Sequence, residues 1–179
     1  MNADENIIIN GNNYTLSTNN LLSRIKDGVK QFKRTDNNEC FIEFQFTQYN
    51  QSVWIDYWKC TSVKGTGLVV MKDFLTYLLN NKTQPINIMR TTIIQAYAVA
   101  SAIPNPRVTD RSQEKLVDFY KKIGFNVVEN KGGFTKVSGT IENIIEKITN
   151  HSGGKFRKTK RRKTKRRKTK RRMYTNRRK

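Results

Sequence analysis

Two stretches of this chain hold residues of the right types and spacing to do chemistry. The first is Lys64-Gly65-Thr66-Gly67, which runs directly into the helical apolar pattern of Leu68, Met71, Leu75 and Leu78. Glycines at a helix start let the backbone approach an anion, while the unpaired N–H groups and the helix dipole point at it. Lys64 adds a full positive charge, so the stretch reads as an anion site suited to phosphate. A tight strand-to-helix turn would explain the same glycines. The second stretch is Leu116 to Phe125, LVDFYKKIGF. Leu116, Phe119, Tyr120 and Ile123 fall at i, i+3, i+4 and i+7 and share one helical face. Tyr120 alone in that stripe has a titratable hydroxyl, able to protonate a leaving group or merely to complete a core. Asp56, in the segment before the glycine loop, is a candidate base or a solvated surface carboxylate. Trp54, Tyr57 and Trp58 beside it can line an acceptor slot or pack a core.

The elements that must position these residues follow from periodicity and turn chemistry. Ile7 to Ile9 and Tyr14 to Leu16, around Asn10-Gly11, predict an opening hairpin. Leu22, Ile25, Val29 and Phe32 have helical spacing, which predicts a helix over 19–34. Cys40 to Phe46 and Val53 to Cys60 predict an antiparallel pair turning at Tyr49-Asn50-Gln51-Ser52. A helix follows from Leu68 to Leu79, with Pro85 beyond its end. Thr92 to Ala100 reads as a central strand and Ala102 to Arg111, with Pro104 and Pro106, as an irregular loop. Ser112 can cap the Tyr120 helix, and Gly124 can end it. Strands over 125–129 and from Phe134 to Ser138 come next, then a short helix over 141–149 with Ile141, Ile144, Ile145 and Ile148 inward. This order predicts an α/β protein with its sheet sandwiched by helices.

In these motifs and in the order of elements, residues 38–140 resemble the GNAT family of acyl-CoA-dependent N-acetyltransferases. In that family a loop of the form R/Q-x-x-G-x-G/A opens a helix and cradles the pyrophosphate of coenzyme A. A later helix carries L-x-x-F/L-Y-x-x-x-G-F. Leu116 to Phe125 matches the second motif nearly completely, and Lys64 to Val69 matches the first in part. Lys64 stands where the family has Arg or Gln, and Val69 where it has Gly or Ala, placing a branched side chain at the helix start. The resemblance implies a mixed, mostly antiparallel central sheet flanked by helices, and acetyl-CoA as co-substrate. It implies that Lys64, Gly65, Thr66, Gly67, Leu68 and Val69 hold the cofactor. Gln113, seven residues before Tyr120, takes the place of a family asparagine. It further implies transfer of acetyl to an amine, with Tyr120 as the acid toward the thiolate and Asp56 as the base; the amine acceptor is not identified. The alternative is a catalytically degenerate GNAT-like fold acting through its basic tail, in nucleic-acid packaging or tethering.

Charge divides the chain. Residues 155–179 contain 17 Lys and Arg and no acid, which leaves 18 of the 35 basic residues against all 14 acids elsewhere, a balance of +4 out of +21. The expected organisation is therefore a domain over 1–152 and a polybasic tail over 153–179, hinged at Gly153-Gly154. KTKRR repeats three times, at 158–162, 163–167 and 168–172. So little apolar surface cannot offset the entropy of ordering, so the tail is expected to be disordered. It must bind nucleic acid or another polyanion through counterion release. No aromatic residue punctuates the repeats, so base stacking by them is not indicated. Runs of this kind also serve nuclear import, and GGK…KTKRR tails resemble those on proteins of large DNA viruses, which implies a nuclear or virion-associated location. Thr159, Thr164 and Thr169 are phosphorylation candidates. The start MNADENIII is too acidic for a signal peptide, and no apolar run approaches the roughly 20 residues of a membrane span. An intracellular, soluble, unsecreted protein is expected, with Cys40 and Cys60 as buried free thiols. With one histidine, no metal site is expected.

Overall fold

A computed structural model describes residues 4–19, 29–36, 39–49, 51–60, 65–81, 85–99, 113–131 and 134–151. The expected loop over 102–111, the Ser112 cap, Lys64 and the whole tail lie outside the described residues. The strands are β1 (Glu5–Ile9), β2 (Asn12–Asn19), β3 (Val29–Arg34), β4 (Cys40–Thr47), β5 (Ser52–Cys60), β6 (Ile93–Ala98), β7 (Asn126–Lys131) and β8 (Phe134–Thr140). The helices are α1 (Thr66–Asn80), between β5 and β6, α2 (Gln113–Lys122), between β6 and β7, and α3 (141–151) after β8. All eight strands join one sheet in the order β1-β2-β3-β4-β5-β6-β8-β7. Every pairing is antiparallel except β5 with β6. The fold is therefore mixed α/β with a mostly antiparallel sheet.

The opening hairpin forms because Asn10 and Gly11 accept positive φ, 50° and 78°, as a two-residue turn of this twist requires. Its turn is locked onto α1. Asn10 Nδ2, Asn12 Nδ2 and the Tyr14 hydroxyl donate to the buried Asp73 carboxylate at 2.7, 2.8 and 2.6 Å. Burial, then the hydrogen bond to Asp73, raises the Tyr14 pKa.

Two sequence expectations are corrected. The helix predicted over 19–34 is not one at its C-terminal end. Val29–Arg34 is β3, paired with both β2 and β4, and Phe32 is fully buried at its centre. Leu22 and Ile25 lie outside the described residues; Val29 and Phe32 keep the spacing of a helical stripe, but Phe32 meets α1 through Phe74 and Tyr77, at 5.6 and 5.5 Å between rings, from a strand. The second concerns the cysteines. Cys40 and Cys60 are not free thiols: they face each other across the β4–β5 ladder and form a disulfide.

One face of the sheet carries the core. Phe32, Ile42 and Trp58 lie side by side across β3, β4 and β5. α1 packs over this row through Phe74, whose ring lies 4.8 Å from that of Phe44. α2 packs beside it through Tyr120, 6.2 Å from the Trp58 ring. α1 and α2 thus share one face of the sheet and do not sandwich it. Gly124 ends α2 with φ 101°, and Asn143 of α3 donates to its carbonyl at 2.6 Å. A Cβ there would lie 2.9 Å from the Asn143 carbonyl oxygen, so α3 can approach only a glycine.

Candidate active site

The centre of the site is a break in the sheet. β5 and β6 pair only from Ser52 to Ile55 and from Ile93 to Ala96, although β5 continues to Cys60 and β6 to Ala98. Where that ladder stops, β5 carries an extra residue. Phe44 faces Ile55 and Glu43 faces Tyr57, so Asp56 is a bulge with no partner on β4. The bulge reverses the alternation. Val53 and Ile55 point into the core before it, and Trp58 and Cys60 take that side after it.

α1 begins at this opening. Gly65 precedes it with φ 100°, a conformation that demands glycine, and its carbonyl accepts from the N–H groups of Leu68 and Val69 at 3.1 and 3.4 Å. No side chain caps the first turn and no acid occupies it, so its positive end is uncompensated. Gly67 is different. A Cβ there would meet Cys60 Cβ at 3.4 Å and Trp58 Cζ2 at 3.6 Å, both ordinary contacts, and its φ is unremarkable. Neither packing nor backbone conformation requires glycine at 67. Thr66 and Leu68 are partly buried beside it, while Val69 turns outward, 41% exposed.

Tyr120 closes the other side. It is buried, with rings of Phe119, Phe125 and Trp58 around it. Burial pushes its hydroxyl pKa up to about 12. Among the described residues nothing hydrogen-bonds that hydroxyl. The indole Nε1 of Trp58 is likewise buried without a partner among the described residues. Burying an unpaired donor is costly, and this one belongs to a ring that neighbours both Gly67 and Tyr120. The structure thus brings together Gly65, Gly67, Trp58 and Tyr120.

The remaining candidates fall elsewhere. Gln113 Nε2 donates to the Ala98 carbonyl and, at 3.1 Å, to Thr135 Oγ1, tying the start of α2 to β6 and β8. Its amide is committed to the fold. Asp56 accepts from Gln45 Nε2 at 3.0 Å, on the side of the sheet opposite Tyr120. Partial burial of its carboxyl raises its pKa, Gln45 opposes that rise and the charge of Glu43 adds to it. The expected acceptor slot splits in the same way: Trp58 joins Tyr120, whereas Trp54 and Tyr57 lie on the opposite face. The bulge that divides them has no signature in the sequence. A shallow depression of about 370 Å³ at the other end of the β5–β6 pair is lined by Gln51, Asn87, Met89, Thr91, Thr92 and Ile93 and carries no charge. Among the described residues no cluster of three His, Cys, Asp or Glu can hold a metal, and no helix is long and apolar enough to cross a membrane.

No model of a known protein family matches the chain, and no curated protein matches it.

Proposed function

We propose that the domain is a GNAT-like N-acetyltransferase that takes acetyl from acetyl-CoA and delivers it to an amine, with the polybasic tail holding the protein on nucleic acid or another polyanion. One observation carries this reading: the β5–β6 ladder opens between an uncapped glycine-started helix and a buried tyrosine. Acetyl-CoA brings an activated acyl group and a thiolate leaving group. The residues present fit it. The first turn of α1, from Gly65 to Leu68, offers N–H groups and positive potential to the pyrophosphate. The Trp58 indole N–H supplies a donor in search of an acceptor. Tyr120, with its pKa pushed up to about 12, stays protonated at neutral pH and stabilises the thiolate by hydrogen bonding. Asp56, the base that the family resemblance implies, accepts from Gln45 on the opposite face of the sheet, so the base of this reading is left unassigned.

A second reading is favoured by the hydrogen bond that occupies Asp56 on the far face: a non-catalytic domain that binds through its tail. Calorimetric titration of the full chain with acetyl-CoA at about 0.5 M salt, where nonspecific attraction to the tail is suppressed, tests the first. Saturable binding that is lost in Gly65→Val, whose branched side chain cannot adopt the required φ, is expected. Absence of saturable binding sinks the enzyme reading and leaves the second.

A further inference from the structure

The face of the sheet turned away from α1 and α2 carries its own chemistry. Trp54, Tyr97 and Phe134, from β5, β6 and β8, form a chain of edge-to-face rings with centroids 4.9 and 5.2 Å apart. Lys136 places its ammonium 5.3 Å from the Trp54 ring centroid. Nearer β4, Phe41 and Tyr57 make a second ring pair at 5.7 Å. Phe41 is flanked in register by Lys33 on β3 and Lys59 on β5. Tyr57, Tyr97 and Phe134 are 50%, 46% and 38% exposed. Rings and lysines therefore alternate across four neighbouring strands, a width of about 15 Å at the usual strand spacing. The carboxylates on this face are already engaged: Glu43 and Asp56 accept from Gln31 and Gln45, and Glu129 of β7, opposite Lys136, pairs with Lys131.

We propose that this face binds single-stranded nucleic acid by stacking bases on the exposed rings, as a second binding element beside the tail. Four strands provide room for about two or three splayed bases. Charge complementarity selects this occupant. A second copy would set the face's own lysines, Lys33, Lys59 and Lys136, against the same lysines, and lysines are depleted at the centre of protein interfaces. A polyanion is attracted by the whole chain, and only a single strand presents free base faces to a flat sheet. The KTKRR tail supplies salt-sensitive attraction without stacking; the sheet supplies stacking that salt does not screen. The proposal stands independently of acetyl transfer.

The full chain is titrated at about 0.5 M salt with an oligothymidylate, a duplex of equal length and inorganic polyphosphate, following anisotropy and tryptophan emission. The oligothymidylate is expected to stay bound and to quench Trp54, while the duplex and polyphosphate release. Trp54→Phe should abolish the quenching, because Trp58 lies on the other face. Tyr97→Ala and Phe134→Ala should each weaken single-strand binding about tenfold. If the oligothymidylate and polyphosphate lose affinity in parallel, or quenching is absent in the unaltered chain, the face is not a stacking surface. That comparison needs no variant, so a variant that fails to fold leaves the decision intact. Concentration-dependent self-association abolished by Tyr97→Ala would instead assign the face to a second copy and overturn the proposal.

Discussion

Tyr120 combines a hydroxyl with surroundings that hold it neutral. Its pKa of about 12 results from burial. Under the proposed mechanism, Tyr120→Phe should slow acetyl transfer about 10²-fold while leaving acetyl-CoA affinity nearly unchanged. Equal turnover by the variant would remove Tyr120 from the chemistry. The same burial has a consequence for stability. Below the ordinary tyrosine pKa of 10, folded and unfolded chains are both protonated. Between 10 and about 12 the unfolded chain loses a proton that folded Tyr120 keeps, so stability must fall as pH rises through that window. Tyr14, raised for the same reason, acts in the same direction. Alkaline denaturation followed by circular dichroism should therefore begin above about pH 10, and Tyr120→Phe should move the midpoint upward. Asp73 is the corresponding residue for the scaffold. Asp73→Ala strands the buried Tyr14 hydroxyl and releases the part-buried amides of Asn10 and Asn12, and should cost roughly 1–3 kcal/mol in chemical denaturation. A loss below about 1 kcal/mol would mean that the hairpin is held by its apolar contacts instead.

At the level of elements, the bulge in β5 controls several features together. The turn end of the β4–β5 hairpin sets Thr47 opposite Ser52. Were Asp56 paired regularly with β4, that register would place Cys40 opposite Lys59. The inserted Asp56 shifts it by one, so Cys40 meets Cys60, Trp58 turns toward Tyr120, and Tyr57 turns to the ring-bearing face. Deleting Asp56 should thus remove the bulge and its carboxylate while leaving Cys40 opposite Cys60, and thiol titration of the variant should detect no free thiol, as in the unaltered chain. The disulfide closes a loop of 20 residues. Cys40→Ala should lower stability by about 3 kcal/mol in the chain-entropy account, an effect that reductant should reproduce in the unaltered chain. Because Cys60 lies beside Gly67, the bridge also fixes the β5 end from which the glycine loop departs.

For the whole molecule, the two faces of the sheet differ in chemistry. α1, α2 and the core occupy one; rings and lysines occupy the other; the opening between β5 and β6 joins them. The excess charge belongs to neither side, since residues 155–179 hold 17 cations. Binding of the full chain to duplex DNA should therefore weaken by at least about 10³ between roughly 50 and 200 mM salt, measured by anisotropy. A shallow dependence would show that the tail is not what holds the duplex.

The sequence by itself determined the parts whose signal is local. α1 and α2 follow from apolar spacing of 3.6, the Asn10-Gly11 turn from backbone preference, Gly124 from the need to end α2 at positive φ, and the two-part charge distribution from composition. Residues 29–34 were not legible, because β3 carries apolar residues at spacings that a helix also uses and only pairing with β2 and β4 decides between them. Nor was the bulge. A strand residue's face depends on counting from the last regular pair, and an inserted residue reverses every side chain after it. Sequence therefore could mark Asp56, Trp58, Cys60 and Tyr120 as residues of interest. Only the tertiary register decided that Trp58 meets Tyr120, that the cysteines join, and that Asp56 stands on the opposite side of the opening.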